Sequence, residues 1–208
     1  MPKNKRVALK DIRREEIMQA AVTVFSDRTC SSMTLDDIAK ASGFSKGGIT
    51  YYYSSKEALI KDVFEYYFEG IYKRAKGEIA KHKDPLNKLF SFAWLFDADD
   101  PQTHILWALT FDMMAISTHN EEYRSAYQKW IKEWVEMVTP VIDEGISTGQ
   151  FQTEDSDEAS RVLSATVQGF ASRWYLDREH QSSEWAVKSL KSAIINVLNV
   201  PIDKVPQK

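Results

Sequence analysis

The stretch that decides the fold runs from residue 33 to residue 59 and reads MTLDDIAKASGFSKGGITYYYSSKEAL. Thr34 stands directly before a set of apolar residues at helical spacing, and Asp37 follows it by three positions. A hydroxyl and a carboxylate at this spacing form a capping box, which predicts that a short helix begins at Thr34. The apolar face of this helix is formed by Leu35, Ile38 and Ala39.

The first helix is followed almost at once by a second. Gly43 predicts the end of the first helix, because glycine most readily takes the left-handed conformation that closes a helix. Ser45 can then cap the next helix. Two helices joined by so short a turn must cross closely. The positions at the crossing fit this, because Ala39 is small and Ile49 is apolar. The pattern is that of a helix-turn-helix.

Length and composition are those of an ordinary globular protein with room for one or two domains. The chain has 208 residues, of which 43% are hydrophobic and 27% charged. We find no run of about 18 apolar residues and no apolar segment near the N-terminus of the kind a signal peptide has. The sequence therefore predicts a cytoplasmic protein with no membrane segment. We expect the single cysteine, Cys30, to fill space in the core rather than to react.

Charge is distributed unevenly along the chain, whose net charge is −3. Residues 1–56 carry ten basic and six acidic side chains, a net charge of +4, whereas the remainder carries −7. A basic head on an acidic body is expected if only the head contacts phosphates.

The remaining chain also has helical patterns. We expect a mobile basic arm over residues 1–11, and a helix over 12–28 that completes a three-helix core with the helix-turn-helix. A capping box at Ser54 and Glu57 predicts a long helix from 55 to about 81. Pro140 is predicted to kink a helix that begins after Asn120, and Gly145 and Gly149 to close it. Further helices are predicted at 85–97, 102–117, 157–176 and 183–199.

The predicted fold is therefore all-α, with about nine helices in two domains. Residues 1–54 are expected to form the helix-turn-helix DNA-binding domain, and residues 55–208 a second, helical domain.

The second helix of the motif has an inner and an outer face. A residue advances about 100° around a helix, so Ile49 and Tyr53 share the side that we expect to be buried. The outer face carries two adjacent glycines, each of which destabilises a helix by about 1 kcal/mol relative to alanine. This cost is explained if a DNA phosphate or base edge must come close to the helix backbone. The predicted DNA-binding residues are Thr34, Ser45, Lys46, Gly47, Gly48, Thr50, Tyr51, Tyr52 and Lys56.

These residues closely resemble the DNA-binding motif of the TetR family of bacterial transcriptional regulators. The family pattern is S-K-G-x-L-Y-x-Y/H-F followed by x-S-K-E-x-L, and this chain reads SKGGITYYY at 45–53 and SSKEAL at 54–59. Thr50 stands where the family commonly has Tyr. Farther on, EG at 144–145, GQF at 149–151 and the acidic DSDEA at 155–159 resemble the betaine-repressor type of C-terminal domain.

The resemblance implies a homodimer that binds a palindromic operator in double-stranded DNA. Members pair their last two long helices across a two-fold axis, and in this chain these helices are 157–176 and 183–199. The apolar stripes of the two helices alone would also fit a closed monomer core. The resemblance also makes residues 55–208 a helical regulatory and dimerisation domain, whose middle helices hold a small hydrophobic or amphipathic inducer. Our hypothesis for the mechanism is that each protomer sets the second helix of its motif, the recognition helix, into the major groove. Inducer binding then shifts the long connecting helix, so that the spacing of the two recognition helices no longer fits the operator.

Bulky side chains are concentrated in the middle of the chain, where they form either a ligand pocket or simply core. Together with nearby Asp112 they could suit an organic cation through cation–π attraction. The predicted pocket residues are Trp94, His104, Trp107, Phe111, Met114, Trp130, Trp134, Phe170 and Trp174, with Phe96 in the same aromatic set.

Two other functions remain open from the residues alone. The first is a DNA-binding dimer that ignores small molecules and answers to a protein partner. The second is an all-α enzyme that uses Asp97, Asp99 and Asp100 to hold Mg²⁺, but these acids stand before Pro101, where capping carboxylates are expected. We find no HExxH motif, no Cys/His metal spacing and no nucleophile with its base, and therefore predict no catalytic residue, metal or cofactor.

Overall fold

The computed structural model of the chain describes residues 3–27 and 32–205, and the side chains of 10–25 and 32–205. Over these residues it contains no strand, which confirms the all-α prediction. Two short 3₁₀-helices lie at Ser91–Phe96 and Ile202–Lys204. The α-helices are α1 Lys3–Asp27, α2 Leu35–Ser42, α3 Lys46–Tyr52, α4 Lys56–Ala80, α5 Pro85–Phe90, α6 Pro101–Ser117, α7 Glu121–Ser147, α8 Ser156–Leu176 and α9 Ser183–Val197.

The chain forms two compact units. The first unit comprises Met1–Gly70 and Ala108–Ala126, and the second comprises Ile71–Trp107 and Tyr127–Lys208. The unit boundaries fall inside α4, α6 and α7, so each of these helices contributes residues to both units. The first unit is thus larger than the predicted DNA-binding domain of residues 1–54, and that functional division stays a prediction.

The capping signals are confirmed at most of the predicted helix starts. The Thr34 hydroxyl accepts from the Asp37 N–H and the Asp37 carboxylate accepts from the Thr34 N–H, so the capping box is complete. Gly43 closes α2 in the left-handed conformation, with φ of 72°. The Asp84 carboxylate caps α5 with Pro85 at its first position, and Asn120 caps α7, which continues through Pro140.

Three predictions of local structure are wrong. Residues 3–11 are helical and belong to α1, so this helix begins before the predicted residue 12; lysine, arginine, alanine and leucine favour a helix. The cap of α4 is Ser55 rather than Ser54, since the Ser55 hydroxyl accepts from the Ala58 N–H at 3.1 Å. Cys30 lies outside the described residues.

The third error concerns the predicted helix 85–97. Only α5 is α-helical there, and the chain then tightens into the 3₁₀-helix Ser91–Phe96. Four buried apolar residues of this segment recur every three positions, which is the 3₁₀ repeat: Leu86, Leu89, Phe92 and Leu95. Phe96 is buried as well.

The core of the first unit is built around Phe64 of α4. Its ring lies 6.3 Å from that of Phe25, 6.0 Å from that of Phe68 and 6.0 Å edge-on from that of Tyr123. The Tyr123 hydroxyl donates to the carbonyl of Glu57 at 2.9 Å. These contacts bring α1, α4 and the start of α7 together behind the helix-turn-helix.

In the second unit the end of α7 is closed by the segment that resembles the betaine-repressor type. The N–H groups of Gln150 and Phe151 both donate to the carbonyl of Gly145, at 2.8 and 3.0 Å. Gly149 makes the turn with φ of 67°. The ring of Phe151 is buried directly on Gly145, and the Gln150 amide donates to the Asp84 carboxylate at 2.7 Å. The motif therefore locks the end of α7 against α5.

Candidate nucleic-acid interface and ligand cavity

Helix α3 is short, capped and exposed on one side. The Ser45 hydroxyl accepts from the N–H of Gly48 at 3.0 Å, so this serine fixes the first turn. Ile49 and Tyr53 are buried, as predicted, whereas Gly47 is exposed and Tyr51 is 74% exposed. An aromatic ring left in solvent on a capped helix is suited to a partner outside the chain.

The two glycines of α3 are not demanded by packing within the chain. A Cβ on Gly47 would meet only the Ser45 hydroxyl, at 4.0 Å, and one on Gly48 would make ordinary contacts of 3.4 Å with Phe44 and Ser45. Neither glycine has a positive φ. The fold itself could therefore accept alanine at both positions.

A basic side chain lies beside the outer face. Lys46 is exposed and pairs with Asp36 at 2.8 Å, which ties the first turn of α3 to the first turn of α2. Thr34, the N-cap of α2, is also exposed and lies in that same turn. Exposed ion pairs of this kind contribute little to stability, so the lysine is readily available to a phosphate.

The other predicted DNA-binding residues occupy less open positions. Thr50 is exposed, and its hydroxyl donates to the Gly47 carbonyl at 3.2 Å. Tyr52 is half-buried, edge-on to the rings of Phe44 and Tyr51. Lys56 is half-buried at the first position of α4.

Sequence reasoning missed the groups that hold α3 from behind. Arg14 of α1 stacks on the ring of Tyr53 at 5.4 Å and pairs with Asp62 of α4. Burial raises the pKa of Tyr53, which keeps its hydroxyl neutral, and Arg14 partly opposes this shift. No sequence motif indicates this arrangement, because Arg14 is 39 residues from Tyr53 and 48 residues from Asp62 along the chain.

The second unit contains a cavity with an empty volume of about 360 Å³, which includes its opening to solvent. No lining side chain carries a charge; apart from the indoles, the polar groups are those of Ser164 and Gln168. The walls come from α4, the first 3₁₀-helix, α6, α7 and α8. The lining residues are Ile71, Leu95, Leu106, Trp107, Trp130, Ile131, Trp134, Ser164, Val167 and Gln168.

Three of the nine predicted pocket residues line this cavity: Trp107, Trp130 and Trp134. The rings of Trp130 and Trp134 lie 6.4 Å apart, and Tyr127 lies 5.7 Å from Trp130. Burial raises the pKa of Tyr127, an effect that Gln168 partly offsets. The cavity is therefore a neutral, aromatic-rich space.

The other predicted pocket residues lie elsewhere. Trp94 is stacked by Arg74 at 4.0 Å, and the buried Trp174 donates from its indole to Ser183. Phe170 packs edge-on against Trp185. Phe111 and Met114, like Asp112, belong to the first unit, and Met114 is 39% exposed.

The polar lining residues could have been found from helical spacing. Ser164 and Gln168 are four residues apart on α8 and border its buried stripe of Leu163, Val167 and Ala171. Polar groups beside an apolar stripe on an inner face are a signal for a cavity, but the pocket prediction took only Phe170 and Trp174 from this helix.

His104 lies outside the cavity lining and in a cationic setting. Its ring stacks on Tyr175 at 5.0 Å, and its Nδ1 lies 3.0 Å from a guanidinium nitrogen of Arg178. Since arginine can only donate, Nδ1 accepts and the proton of the neutral ring is on Nε2. Burial, and then the charge of Arg178, lower the pKa of His104 below its ordinary value of 6.5.

This geometry predicts a pH dependence of stability. The unfolded chain binds a proton at His104 more readily than the folded chain, so the free energy of unfolding should decrease as the pH falls below 6.5 toward the lower pKa of the folded state. Urea unfolding between pH 7.5 and 5 measures this slope. His104→Gln should reduce it relative to the wild type, with His119→Gln as the control at an exposed site; equal slopes in all three proteins would contradict the assignment.

The three carboxylates of the enzyme alternative make local contacts. Asp100 accepts from the Gln102 N–H at 2.9 Å and pairs with Arg74 at 2.5 Å; burial alone would raise its pKa, but these partners lower it. Asp97 accepts from the N–H of Asp99. Within the described residues, no group of three or more His, Cys, Asp or Glu side chains is placed to hold a metal ion. No described helix combines the length and apolar character needed to cross a bilayer.

A capped helix-turn-helix with an exposed second helix, joined to a helical unit with a cavity, defines the class of DNA-binding regulators. Comparison with family models agrees: residues 17–63 match the bacterial regulatory proteins of the tetR family, and residues 91–198, more than half of the chain, match the C-terminal domain of BetI-type transcriptional repressors. The chain therefore belongs to the TetR family of bacterial transcriptional regulators. The resemblance seen in the sequence is confirmed, and the family is one of regulators rather than enzymes.

Several regulators align with this chain over more than two thirds of their length. The chain is 31% identical over 145 residues to the uncharacterised HTH-type transcriptional regulator YfiR of Bacillus subtilis, an alignment that covers 69% of this chain and 70% of YfiR. It is 27% identical over 176 residues to the transcriptional repressor KstR2 of Mycolicibacterium smegmatis, covering 78% and 79% of the two chains.

Solved structures share the fold. A putative transcriptional regulator from Saccharomonospora viridis, crystallised in complex with choline, superposes with a TM-score of 0.81 at 21% identity over 88% of this chain and 95% of that one. A putative TetR-family regulator from Rhodococcus sp. superposes with a TM-score of 0.74 at 21% identity, covering 89% and 98%.

Proposed function

We propose that this chain is a repressor that binds a palindromic operator as a homodimer and releases it when a small organic cation enters the cavity of the second unit. The observation that carries the ligand class is the cavity wall, in which three indoles meet and no side chain is charged. Indole faces attract quaternary ammonium groups, which keep no hydrogen bonds to water that must be replaced. The choline bound to the Saccharomonospora viridis protein supports this class of ligand.

Three helices offer a route from the cavity to the operator. Ile71, Trp107 and Trp130 line the cavity from α4, α6 and α7, and each of these helices also contributes residues to the first unit. Helix α4 begins four residues after the end of α3. A ligand that repositions Ile71 therefore acts on α4, the helix that follows the recognition helix α3. A change in the spacing of the two α3 helices of the dimer would release the operator. The operator lies on chromosomal DNA, so the place of action is the cytoplasm.

One experiment separates operator binding from ligand response. An operator is first selected from a random library of 30-base-pair duplexes, and its binding is then followed by fluorescence anisotropy with and without choline and tetramethylammonium. The wild type should bind and be released by the cations, and binding should weaken steeply with salt. Lys46→Ala and Tyr51→Ala should lose DNA affinity but still bind cation; Lys46→Ala should reduce the salt slope by about one.

The matched variant for the cavity is Trp130→Leu, which keeps an apolar side chain and removes the aromatic face. It should bind the operator like the wild type and respond weakly to cations. The cation part of the proposal fails if neutral alcohols of equal size release the operator as well as the cations do. The repressor part fails if no duplex is enriched.

The dimer interface is proposed on the outer faces of α8 and α9. Val162 is 39% and Leu176 77% exposed on α8, and the half-buried pair Phe170 and Trp185 joins the two helices. Gly169 lies midway between Val162 and Leu176 along α8, with open space around its Cβ position. Apolar exposure together with a glycine that the fold does not need suits the close approach of an identical helix.

Gly169→Leu should therefore shift the protein from dimer to monomer. The added side chain has room within one chain and collides only if a partner helix lies there. Analytical ultracentrifugation measures the shift, circular dichroism verifies folding, and Gly77→Leu, at another exposed helical glycine with open space, is the control. A Gly169→Leu dimer as tight as the wild type would place the interface elsewhere.

A further inference from the structure

The second unit contains a second cavity next to the first. Its empty volume is about 310 Å³, including its opening to solvent. Three residues line both cavities: Trp134, Ser164 and Val167. The full lining is Leu89, Phe92, Trp134, Val138, Ser160, Leu163, Ser164, Val167, Leu190 and Ile194.

The residues that line both cavities form the wall between them. They are one indole and two side chains from a single turn of α8, since Ser164 and Val167 are three residues apart. The Trp134 ring lies between Phe92, at 5.1 Å on the side of the second cavity, and Trp130, at 6.4 Å on the side of the first. Ser164 is the smallest side chain in this wall.

The two cavities differ in chemistry. The first has Trp107, Trp130 and the amide of Gln168. The second is mainly aliphatic, and its further hydroxyl is already engaged, because Ser160 hydrogen-bonds Thr139 at 2.9 Å and the Ser156 carbonyl at 2.7 Å. A space of this kind favours alkyl groups over polar ones. Its aliphatic walls are Leu89, Val138, Leu163, Leu190 and Ile194.

We propose that the two cavities bind one elongated amphiphile. Its compact cationic head lies among the indoles of the first cavity, and its unbranched alkyl tail passes Trp134 over Ser164 into the second. This inference rests on the proposed function and adds to it the shape of the ligand, a head with a tail rather than a head alone. Trp134 is then the residue that sets tail length, because its indole must lean aside for the tail to pass.

The test is calorimetric titration of the wild-type protein with alkyltrimethylammonium ions from tetramethyl to decyl, below their micelle concentrations, beside the matching 1-alkanols. Affinity should rise by about fourfold per methylene along the part of the series that fills the second cavity, and then level off. Leu190→Phe, which fills the second cavity, should make affinity level off at a shorter chain and leave tetramethylammonium binding unchanged. Leu198→Phe, buried outside both linings, controls for overpacking.

Trp134→Leu should favour long chains, whereas Leu190→Phe should disfavour them. It should strengthen the binding of decyltrimethylammonium relative to tetramethylammonium, because it widens the proposed passage and removes one aromatic face. The inference is overturned if tetramethylammonium binds and releases the operator but longer chains gain nothing, or if neither Leu190→Phe nor Trp134→Leu moves the chain-length profile; the proposed function then stands. If no cation of the series binds or releases the operator, the proposed function fails, and this inference with it.

Discussion

Gly47→Leu should weaken operator binding by about 5- to 150-fold, the equivalent of an overpacking cost of about 1–3 kcal/mol. Gly47 is exposed, and a Cβ added there meets nothing closer than the Ser45 hydroxyl at 4.0 Å. The new side chain therefore has space in the free protein, and collides only with DNA seated against the outer face of α3. Leucine also favours a helix over glycine, by up to about 1 kcal/mol, so the free energy of unfolding should stay level or rise.

The measurement pairs anisotropy on the selected operator with urea unfolding of the same preparations. Gly77→Leu adds the same side chain to an exposed helical glycine far along α4 and should leave operator affinity unchanged. Should Gly47→Leu bind like the wild type, the outer face of α3 does not approach DNA closely, and the double glycine needs another explanation. Should it unfold, Gly47 belongs to the core after all.

Gly145→Ala should lower the free energy of unfolding by at least about 1–3 kcal/mol. A Cβ at this position would lie 2.0 and 2.1 Å from two ring carbons of Phe151. Phe151 is only 2% exposed, and its backbone is held by the hydrogen bond from its N–H to the Gly145 carbonyl, so the ring has little space into which to turn. The loss should be seen although alanine is the better helix former.

A double-mutant cycle identifies the cause. Phe151→Leu removes the colliding ring, so Gly145→Ala should cost less in that background than in the wild type. Gly77→Ala, with open space around it, should be neutral or stabilising. All variants are compared at one protein concentration, because dimerisation contributes to the measured stability. Additive costs at 145 and 151 would show that the ring is not what alanine meets.

Much of the first unit could be predicted because its signals are local. The caps at Thr34 and Ser45, the left-handed Gly43 and the inward pair Ile49 and Tyr53 each depend on neighbours within a turn or two of helix. A capping hydroxyl reaches three residues and a helical face repeats within four, so a linear sequence contains the whole interaction. The cap of α4 was predicted at Ser54 and lies at Ser55. Two neighbouring serines offer equivalent hydroxyls, so local spacing places such a cap only to within one residue.

The ligand cavity shows where local reasoning ends. Helical spacing indicates that an aromatic residue is buried, but not whether it faces a neighbour or an empty space. Trp174 and Trp130 have the same sequence signal, yet the first packs edge-on against Phe96 and the second lines the cavity. Ile71 and Gln168 share that cavity although 97 positions separate them along the chain.

The sequence by itself determined most of the helices, most of their caps and which face of α3 is exposed, because the spacing of side chains on one helix decides each of these. The tertiary structure alone decided which indoles surround the cavity, that a second cavity lies behind Trp134, and why glycine is required at 145. These features arise where side chains from several helices meet or leave a gap. Their geometry depends on how the helices pack, and no pattern along one helix contains it.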